Sequence, residues 1–428
     1  MKYEWAVVGG GIAGIVLTEI LAREGHSVVL IEQGDKLAGD TTGLFHEWIH
    51  TGCLYTLAPN HLHTLKFLLG AVDDLLEFYG AFERMNIVPT EAGLQLEDGP
   101  GWFAPNYIHF KYRLRRANLP WLMVMSRSIY LIELIKDHDW LRRRAGKLYD
   151  VSIVDQLRAA ISRVRDITST RERFLDVETS DFTTNSRLLL RDLVATALHN
   201  HAELSLANPV LRIENRDSHK AVVTENGTIM VDRVAICTGK NIPQFMNVKI
   251  KTTFAPIAVV KGLHPSTESF VELDYVTKNC INLLTKEDGV GMIGGISVGD
   301  EEKAAKYLQY VIEQHKKRTP GIEVVGTYTG LKNEITFRNK DRNYLYHIVP
   351  TEPGIWAVVP GKFTLGFSLA VEFYRRVYHR NPRKFFDTVT DSGEASEFVS
   401  ETLWHDIVNN VVRSPIAGGV SDAPAHGL

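Results

Sequence analysis

Cysteine is scarce in this chain. The 428 residues hold three, Cys53, Cys237 and Cys280, far apart and with no CxxC pair, which excludes a disulfide framework and a cysteine-based zinc ribbon. Long apolar runs are also missing, since none approaches the roughly 20 residues that cross a bilayer. The N-terminus, MKYEWAVVGGGIAG, lacks an apolar stretch ending in a small-residue cleavage site. A cytoplasmic location is the expectation. Neither sign of charge dominates, with a net charge of -3, so nothing selects nucleic acid as a partner. What the chain does have is length, enough for about two or three domains and a substantial interior.

Its first thirty-odd residues are the most informative. The run YEWAVV, Tyr3 to Val8, is short and rich in β-formers, GGGIAG follows at once, and IVLTEILAREG repeats its apolar residues at helical spacing. A second β-branched run, SVVLI, ends at Glu32. Strand, turn, helix and strand make a complete βαβ unit. Gly9, Gly11 and Gly14 form GxGxxG: the first allows the turn, the second lets a pyrophosphate approach the backbone, and the third lets helix pack on strand. The helix start offers N–H groups and a positive dipole to phosphate. Glu32, at the end of the second strand, is placed for ribose hydroxyls and disfavours a 2′-phosphate. Gly289, Gly291 and Gly294 match the same pattern but have no strand before them and no acid after, and read as a glycine-rich strand.

After Glu32 the chain does not go on to build further βαβ units. It runs through HEWIH to a helical segment, Leu62 to Phe82, and the next clear strand–turn punctuation comes far downstream. There a helix, Arg187 to His199, precedes NPVLRIEN and AVVTENGTIMVDRVAICTG, in which ENG is a hairpin turn and VDRVAICTG a buried strand ending on Gly239. Last comes GIWAVVPGKFTLGFSLAVEFYRR, Gly354 to Arg376, a strand, a turn and a helix whose first N–H groups can meet polar atoms.

In this order the segments resemble the FAD-dependent oxidoreductase superfamily of D-amino-acid oxidase, glycerol-3-phosphate dehydrogenase and L-2-hydroxyglutarate dehydrogenase, from Tyr3 to about Tyr378. The resemblance implies an α/β fold: a Rossmann-like FAD-binding domain of the glutathione-reductase type with an interleaved α+β substrate domain. The FAD domain is expected from residues 1–80, 150–245 and 345–380, the substrate domain from 81–149 and 246–344, and a C-terminal helix with a flexible tail from 381–428. It also implies FAD as cofactor, held by Gly9, Gly11, Gly14, Glu32, Gln33, Thr42, Gly43, Val210, Gly239, Gly361, Lys362, Phe363 and Thr364. The family's IHxG pattern appears as WIHTGCLY, which puts His50 beside the flavin, and in some relatives a histidine near this place carries the flavin covalently. The segments TTFAPIAVVKG and TYTGLKNEI place Lys261 and Lys332 in the substrate domain. At Lys332 many members present an arginine to a substrate carboxylate; a lysine is a point charge and not a bidentate fork. In the related hydroxylases an acid stands where this chain has Lys362.

One motif pulls the other way. His46, Glu47 and His50 form HExxH, on a helix the zinc site and general base of a metalloprotease. The extended HExxHxxGxxH form fails, because Gly52 comes one place early and Thr56 stands where a third histidine belongs. No metal site is expected. His50 reads as a flavin contact or as the base that removes a hydroxyl or amine proton, and Glu47 as incidental. His347 reads as a satisfied strand histidine.

Between Lys111 and Lys147 the segment is basic and amphipathic, a feature that fits a solvated helical face or a peripheral membrane or protein contact. The residues after Arg413, rich in Gly and Pro, predict disorder following a helix at Glu397 to Val412. The expected activity is two-electron oxidation of a C–OH or C–N bond of a small polar substrate, hydride passing to flavin N5, with oxygen, a quinone or another carrier as electron acceptor. The alternatives are an FAD-dependent monooxygenase, a non-catalytic FAD-binding protein and a zinc hydrolase.

Overall fold

A computed structural model of the chain describes residues 2–50, 62–90, 93–97, 99–103, 110–115, 174–179, 181–216, 218–274, 279–336 and 345–410. In order, the chain folds as β1 (Lys2–Val8), α1 (Ile12–Arg23), β2 (Val28–Ile31), β3 (Trp48–Ile49), α2 (Leu62–Phe78), β4 (Ile87–Thr90) and β5 (Gly93–Leu96). Then come β6 (Phe110–Arg115), β7 (Phe174–Thr179), β8 (Phe182–Thr183), α3 (Ser186–His199), β9 (Glu203–Ser205), β10 (Val210–Arg216), β11 (His219–Thr224) and β12 (Gly227–Ile236). The last part holds β13 (Ile250–Lys261), β14 (Ser269–Asp274), β15 (Asn279–Thr285), β16 (Gly291–Gly295), α4 (Glu301–Arg318), β17 (Glu323–Ile335), β18 (His347–Glu352), β19 (Ile355–Val359), α5 (Leu365–Tyr378) and α6 (Leu403–Val408).

Two large sheets organise these elements. An eight-stranded sheet runs β10-β11-β12-β1-β2-β9, with β19 and β18 added beside β12. The ten residues of β12 explain the branching, since their first half pairs antiparallel with β11 and their last three residues pair parallel with β19. The parallel centre, β2-β1-β12, is the βαβ unit read from the sequence closed by the VDRVAIC strand. Alternation along β1 sends Trp5 and Val7 to one core with α1, α3 and α5, and Ala6 and Val8 to a second core with Ile242 and Ile335. Helix α1 is buried around its whole circumference because it lies between the sheet and two other helices, α3 and α5. Its Glu19–Arg23 pair is fully buried, and Arg23 also donates to the Phe78 carbonyl.

A seven-stranded sheet runs β17-β13-β16-β15-β14-β6-β7. One face packs on α4 through Ala258, Val260, Ile281, Leu283 and Ile293. The other packs Ile257, Val259 and Met292 against Leu44, Phe45 and α6.

The expected division of the chain is corrected at three places. Strand β7 joins the second sheet through β6 and not the nucleotide domain. Residues 85–103, expected in the substrate domain, put Met85, Ile87, Trp102 and Phe103 into the helical core of the first. The C-terminal segment joins both cores, with Ala395 and Val399 in one and α6 in the other. A chain pattern tells which residues are apolar but not which of two cores they enter. Of the second glycine motif, Gly291 and Gly294 lie in strand β16 while Gly289 ends the turn before it, and β15 precedes the motif, which corrects the expectation of no strand there. Helix α2 stops at Phe78, four residues early, and α6 is shorter than expected. The tail from residue 411, the WIHTGCLY residues after His50, and residues 116–147 of the basic segment lie outside the described residues. Among the described residues no helix is long and apolar enough to cross a membrane.

Candidate active site

The turn between β1 and α1 is made by glycines because little else fits. Gly9 has φ +103°, and a Cβ on Gly14 would lie 1.9 Å from the Gly9 carbonyl oxygen. Gly11, the residue before the first helical turn, has only Thr42 Oγ1 near its missing side chain, at 3.2 Å, so the backbone there is open to approach. Thr42 Oγ1 accepts from the Ile12 N–H at 3.0 Å and caps α1 from outside the helix. Glu32 accepts from the N–H groups of Gly10 at 2.6 Å and Gly34 at 2.9 Å. Burial pushes its carboxyl up despite those donors. Gln33 is exposed beside it. The N–H of Asn208, two residues before Val210, goes to the Glu32 carbonyl, which brings the start of β10 to the same edge. A Cβ on Gly43 would lie 2.7 Å from the Ala38 carbonyl oxygen, and Ala38 itself bonds Gly10. The loop 38–44 therefore sits on the glycine turn. Phe398 and Ser400 bond Leu37 and close this loop from the C-terminal side.

From there the HEWIH stretch crosses to the second sheet. It is not a helix: Trp48–Ile49 pairs with Phe182–Thr183, and Glu47 has φ +59°. Glu47 is not incidental either, which corrects the expectation. Its buried carboxylate accepts from Lys286 Nζ at 2.6 Å, Trp404 Nε1 at 2.9 Å, and the Ser186 N–H at 3.0 Å and Oγ at 2.7 Å. Burial alone would raise its pKa, but Lys286 and the Ser186 donors outweigh burial and hold it below the usual range. One carboxylate so joins the loop to β15's end, to α3 and to α6, and its lone pairs are committed to the fold. Among the described residues, no three His, Cys, Asp or Glu side chains gather to hold a metal ion.

The His50 N–H donates to Thr364 Oγ1 at 2.8 Å, which fastens the loop to the turn before α5. That turn needs Gly361, with φ +68°, since a Cβ there would lie 2.3 Å from the Leu345 carbonyl oxygen. Lys362 and Phe363 follow in the same turn, and Phe363 packs on the helical core. The His50 ring stacks on Trp48, with ring centroids 3.8 Å apart. Trp48 Nε1 donates to the buried Asp181 at 2.9 Å, and Asp181 Oδ2 lies 3.7 Å from His50 Nδ1. Burial first, then the charges of Lys362 and Lys332 and the neighbouring His46, hold the His50 pKa well below its ordinary value. His46 is pushed down to about 3 by burial, Lys332 and Lys286. Both imidazoles are neutral at pH 7.

Lys332, on β17 opposite Thr253, holds its Nζ 5.2 Å from the centroid of the Phe45 ring. Gly239 opens the turn after β12, with the Asn333 amide 3.5 Å from its missing Cβ. Lys261 is not brought to this group. It lies eight residues beyond Thr253 on β13, roughly 26 Å at strand rise, and donates to the Val408 carbonyl at 3.4 Å. His347 opens β18 with Nε2 3.7 Å from Glu334. Asp181, Lys286 and Trp404 were not picked out by sequence reading. Each is an ordinary polar residue in an apolar neighbourhood, and only pairing across 100 residues or more gives it a role.

Residues 4–370 match the family described as FAD dependent oxidoreductase. The chain belongs to that family. This FAD-dependent oxidoreductase has the fold of several solved structures. Glycine oxidase from Geobacillus kaustophilus aligns at TM-score 0.58 and 13% identity, over 90% of this chain and 96% of that one. NikD, an amino acid oxidase essential for nikkomycin biosynthesis, aligns at TM-score 0.62 and 12% identity, over 94% and 98%. L-α-glycerophosphate oxidase from Mycoplasma pneumoniae, solved with FAD bound, aligns at 0.60 and 14%, over 94% and 99%. Among curated proteins, UDP-galactopyranose mutase from Mycoplasma pneumoniae is 32% identical over 105 residues, a match that spans 23% of each chain. The residues at the β1–α1 turn fit the cofactor of the family: a glycine backbone open at Gly11, a helix N-terminus, and a carboxylate at the end of β2.

Proposed function

We propose that this oxidoreductase removes two electrons from a C–OH or C–N bond of a small polar substrate, with His50 as the proton acceptor. The observation that carries the reading is a neutral, half-buried imidazole whose backbone N–H is bonded to Thr364, in the turn before α5. FAD, when bound, supplies the two-electron acceptor. Residues of the chain do the rest. His50 takes the proton of the reacting hydroxyl or amine, its ring held by stacking on Trp48, which Asp181 fixes in turn. Lys332 and Lys362 lower the His50 pKa, and the same positive field favours a substrate with an anionic group or a developing alkoxide.

The test is spectroscopic. Purified protein is precipitated with acid to see whether its yellow colour is released, and the holoenzyme is mixed anaerobically with matched 2-hydroxy acids, 2-amino acids and phosphorylated polyols. Bleaching of the flavin by one class is the expected result. A flavin that dithionite bleaches but no member of these classes does would overturn the reading. The identity to the mutase supports a second reading, rearrangement of a nucleotide sugar, which leaves no net electrons on the flavin. UDP-galactopyranose converted to an isomer without bleaching would favour it.

A further inference from the structure

The C-terminal segment does more than fill the two cores. Its residues 398–401 run beside the loop 37–44, and backbone bonds join them at one residue. The Leu37 N–H donates to the Phe398 carbonyl at 2.7 Å, and the Ser400 N–H donates to the Leu37 carbonyl at 2.9 Å. Next along, the Glu401 carbonyl oxygen lies 3.6 Å from the position a Cβ would take on Gly43. The same loop grips the glycine turn, through the Ala38 N–H on the Gly10 carbonyl at 2.8 Å and through Thr42 Oγ1 on the Ile12 N–H. What ties this seam to the body of the molecule is the Glu401 side chain. Its carboxylate accepts from Arg187 and from Arg191 Nη2, the latter at 2.6 Å, and both arginines lie on α3, one turn apart. Burial would raise the Glu401 carboxyl, but the two guanidiniums outweigh it and hold the pKa below the usual range. The pair is not needed to seat the segment, because Ala395 and Val399 are buried in one core and Leu403 and Ile407 pack on the other. Glu401 stands between those anchors, at the point that meets the loop.

We infer that Glu401, gripped by Arg187 and Arg191, is a positioning residue for the cofactor: it latches residues 37–44 onto the glycine turn and so sets how fast FAD leaves. The inference stands on the family's cofactor and not on the oxidation reading. A pyrophosphate needs the open backbone at Gly11, and Thr42 Oγ1 stands 3.2 Å from that opening. A loop that swings takes Thr42 away from the start of α1, whereas a latched loop keeps the cradle in shape. The Glu401, Arg187 and Arg191 side chains are 32%, 20% and 22% exposed, so salt reaches the latch. Each arginine meets its own carboxylate oxygen, so a lysine's point charge can replace either one.

The experiment follows the holoenzyme with two readouts: FAD release, as the rise in flavin fluorescence after dilution, and hydrogen exchange of residues 37–44 by mass spectrometry. Glu401→Gln should speed release about fivefold, the scale of a partly exposed ion pair, and raise exchange in 37–44, with exchange in β1 and β2 and the urea midpoint little changed. Arg187→Gln should act in the same direction, and Arg187→Lys should recover most of the wild-type behaviour. Sodium chloride should quicken release from the wild type more than from Glu401→Gln, which has no pair left to screen. Wild-type release and exchange in Glu401→Gln would overturn the inference. So would extra exchange spread through β1 and β2 with a lower urea midpoint, the mark of general loosening. Should acid leave the flavin on the protein, exchange in 37–44 decides alone; should Glu401→Gln not fold, Arg187→Gln against Arg187→Lys decides in its place.

Discussion

The two large sheets offer chemistry of different kinds. At the edge of the eight-stranded sheet what faces the cofactor site is backbone: the Gly9–Gly14 turn, the start of α1, and a glutamate that holds the neighbouring N–H groups. At the seven-stranded sheet the neighbours of the HEWIH loop are side chains, Lys286 from the end of β15, bonded to the His46 carbonyl, and Lys332 from β17, beside the Phe45 ring. A backbone site depends on local sequence spacing, so it can be written in thirty residues. A side-chain site depends on which strands are neighbours, so its residues can lie anywhere in the chain. Glu47 stands where the two meet.

The comparison breaks most severely at that joint. Glu47→Ala leaves Lys286 buried without its partner and strands the donors of Trp404 and Ser186, and should destabilise by about 3–5 kcal/mol, read by urea unfolding together with flavin release. A milder loss in Glu47→Gln, which keeps two of the contacts, would sharpen the point; equal stability of Glu47→Ala and wild type would break it. On the side-chain side, His50→Ala should lower turnover by roughly 10²–10⁴-fold, the scale of a general base, in single-turnover flavin reduction, with the flavin still bound. If flavin is lost and reduction of the reconstituted enzyme is unchanged, His50 is a cofactor contact only.

Acid should act through the same histidines. The folded pKa of His46, about 3, is below its unfolded value near 6.5, so the unfolded state binds the extra proton between them. Stability is fully present above 6.5 and falls as pH drops through that window, by up to about 1.4 kcal/mol per pH unit for this group. Urea midpoints measured from pH 7 to 4 should show the slope, and His46→Gln should flatten it. On the backbone side, Thr42→Val removes the cap at the Ile12 N–H and should cost about 1 kcal/mol, with weaker FAD retention in a fluorescence titration and little change in the rate of the reduced step. Smallest of all, Lys261→Ala should stay within about 0.5 kcal/mol in urea unfolding and leave turnover alone, while Lys332→Ala raises KM for an anionic substrate.

Much of the first sheet was legible. Tyr3–Val8, the glycine turn, the Val28–Ile31 strand and the 219–236 hairpin follow from alternation, turn residues and spacing, which are local properties. Strand β9 was missed, as three residues carry too little pattern. His50 was legible through its place in a motif, but HExxH was ambiguous because the same five letters can be a helix face or a strand entry, and only pairing with β8 decides between them. Lys261 was misplaced for a related reason: a strand of twelve residues carries its ends far apart, and the sequence does not say which end faces the site.

By itself the sequence determined the βαβ unit and the backbone cradle at its turn, since a glycine at φ +103° and a helix starting three residues later are requirements met within one short segment. Tertiary structure alone decided what Glu47 does. A buried carboxylate becomes a clamp according to which strands and helices lie across from it, and that placement is set by how two sheets share one loop.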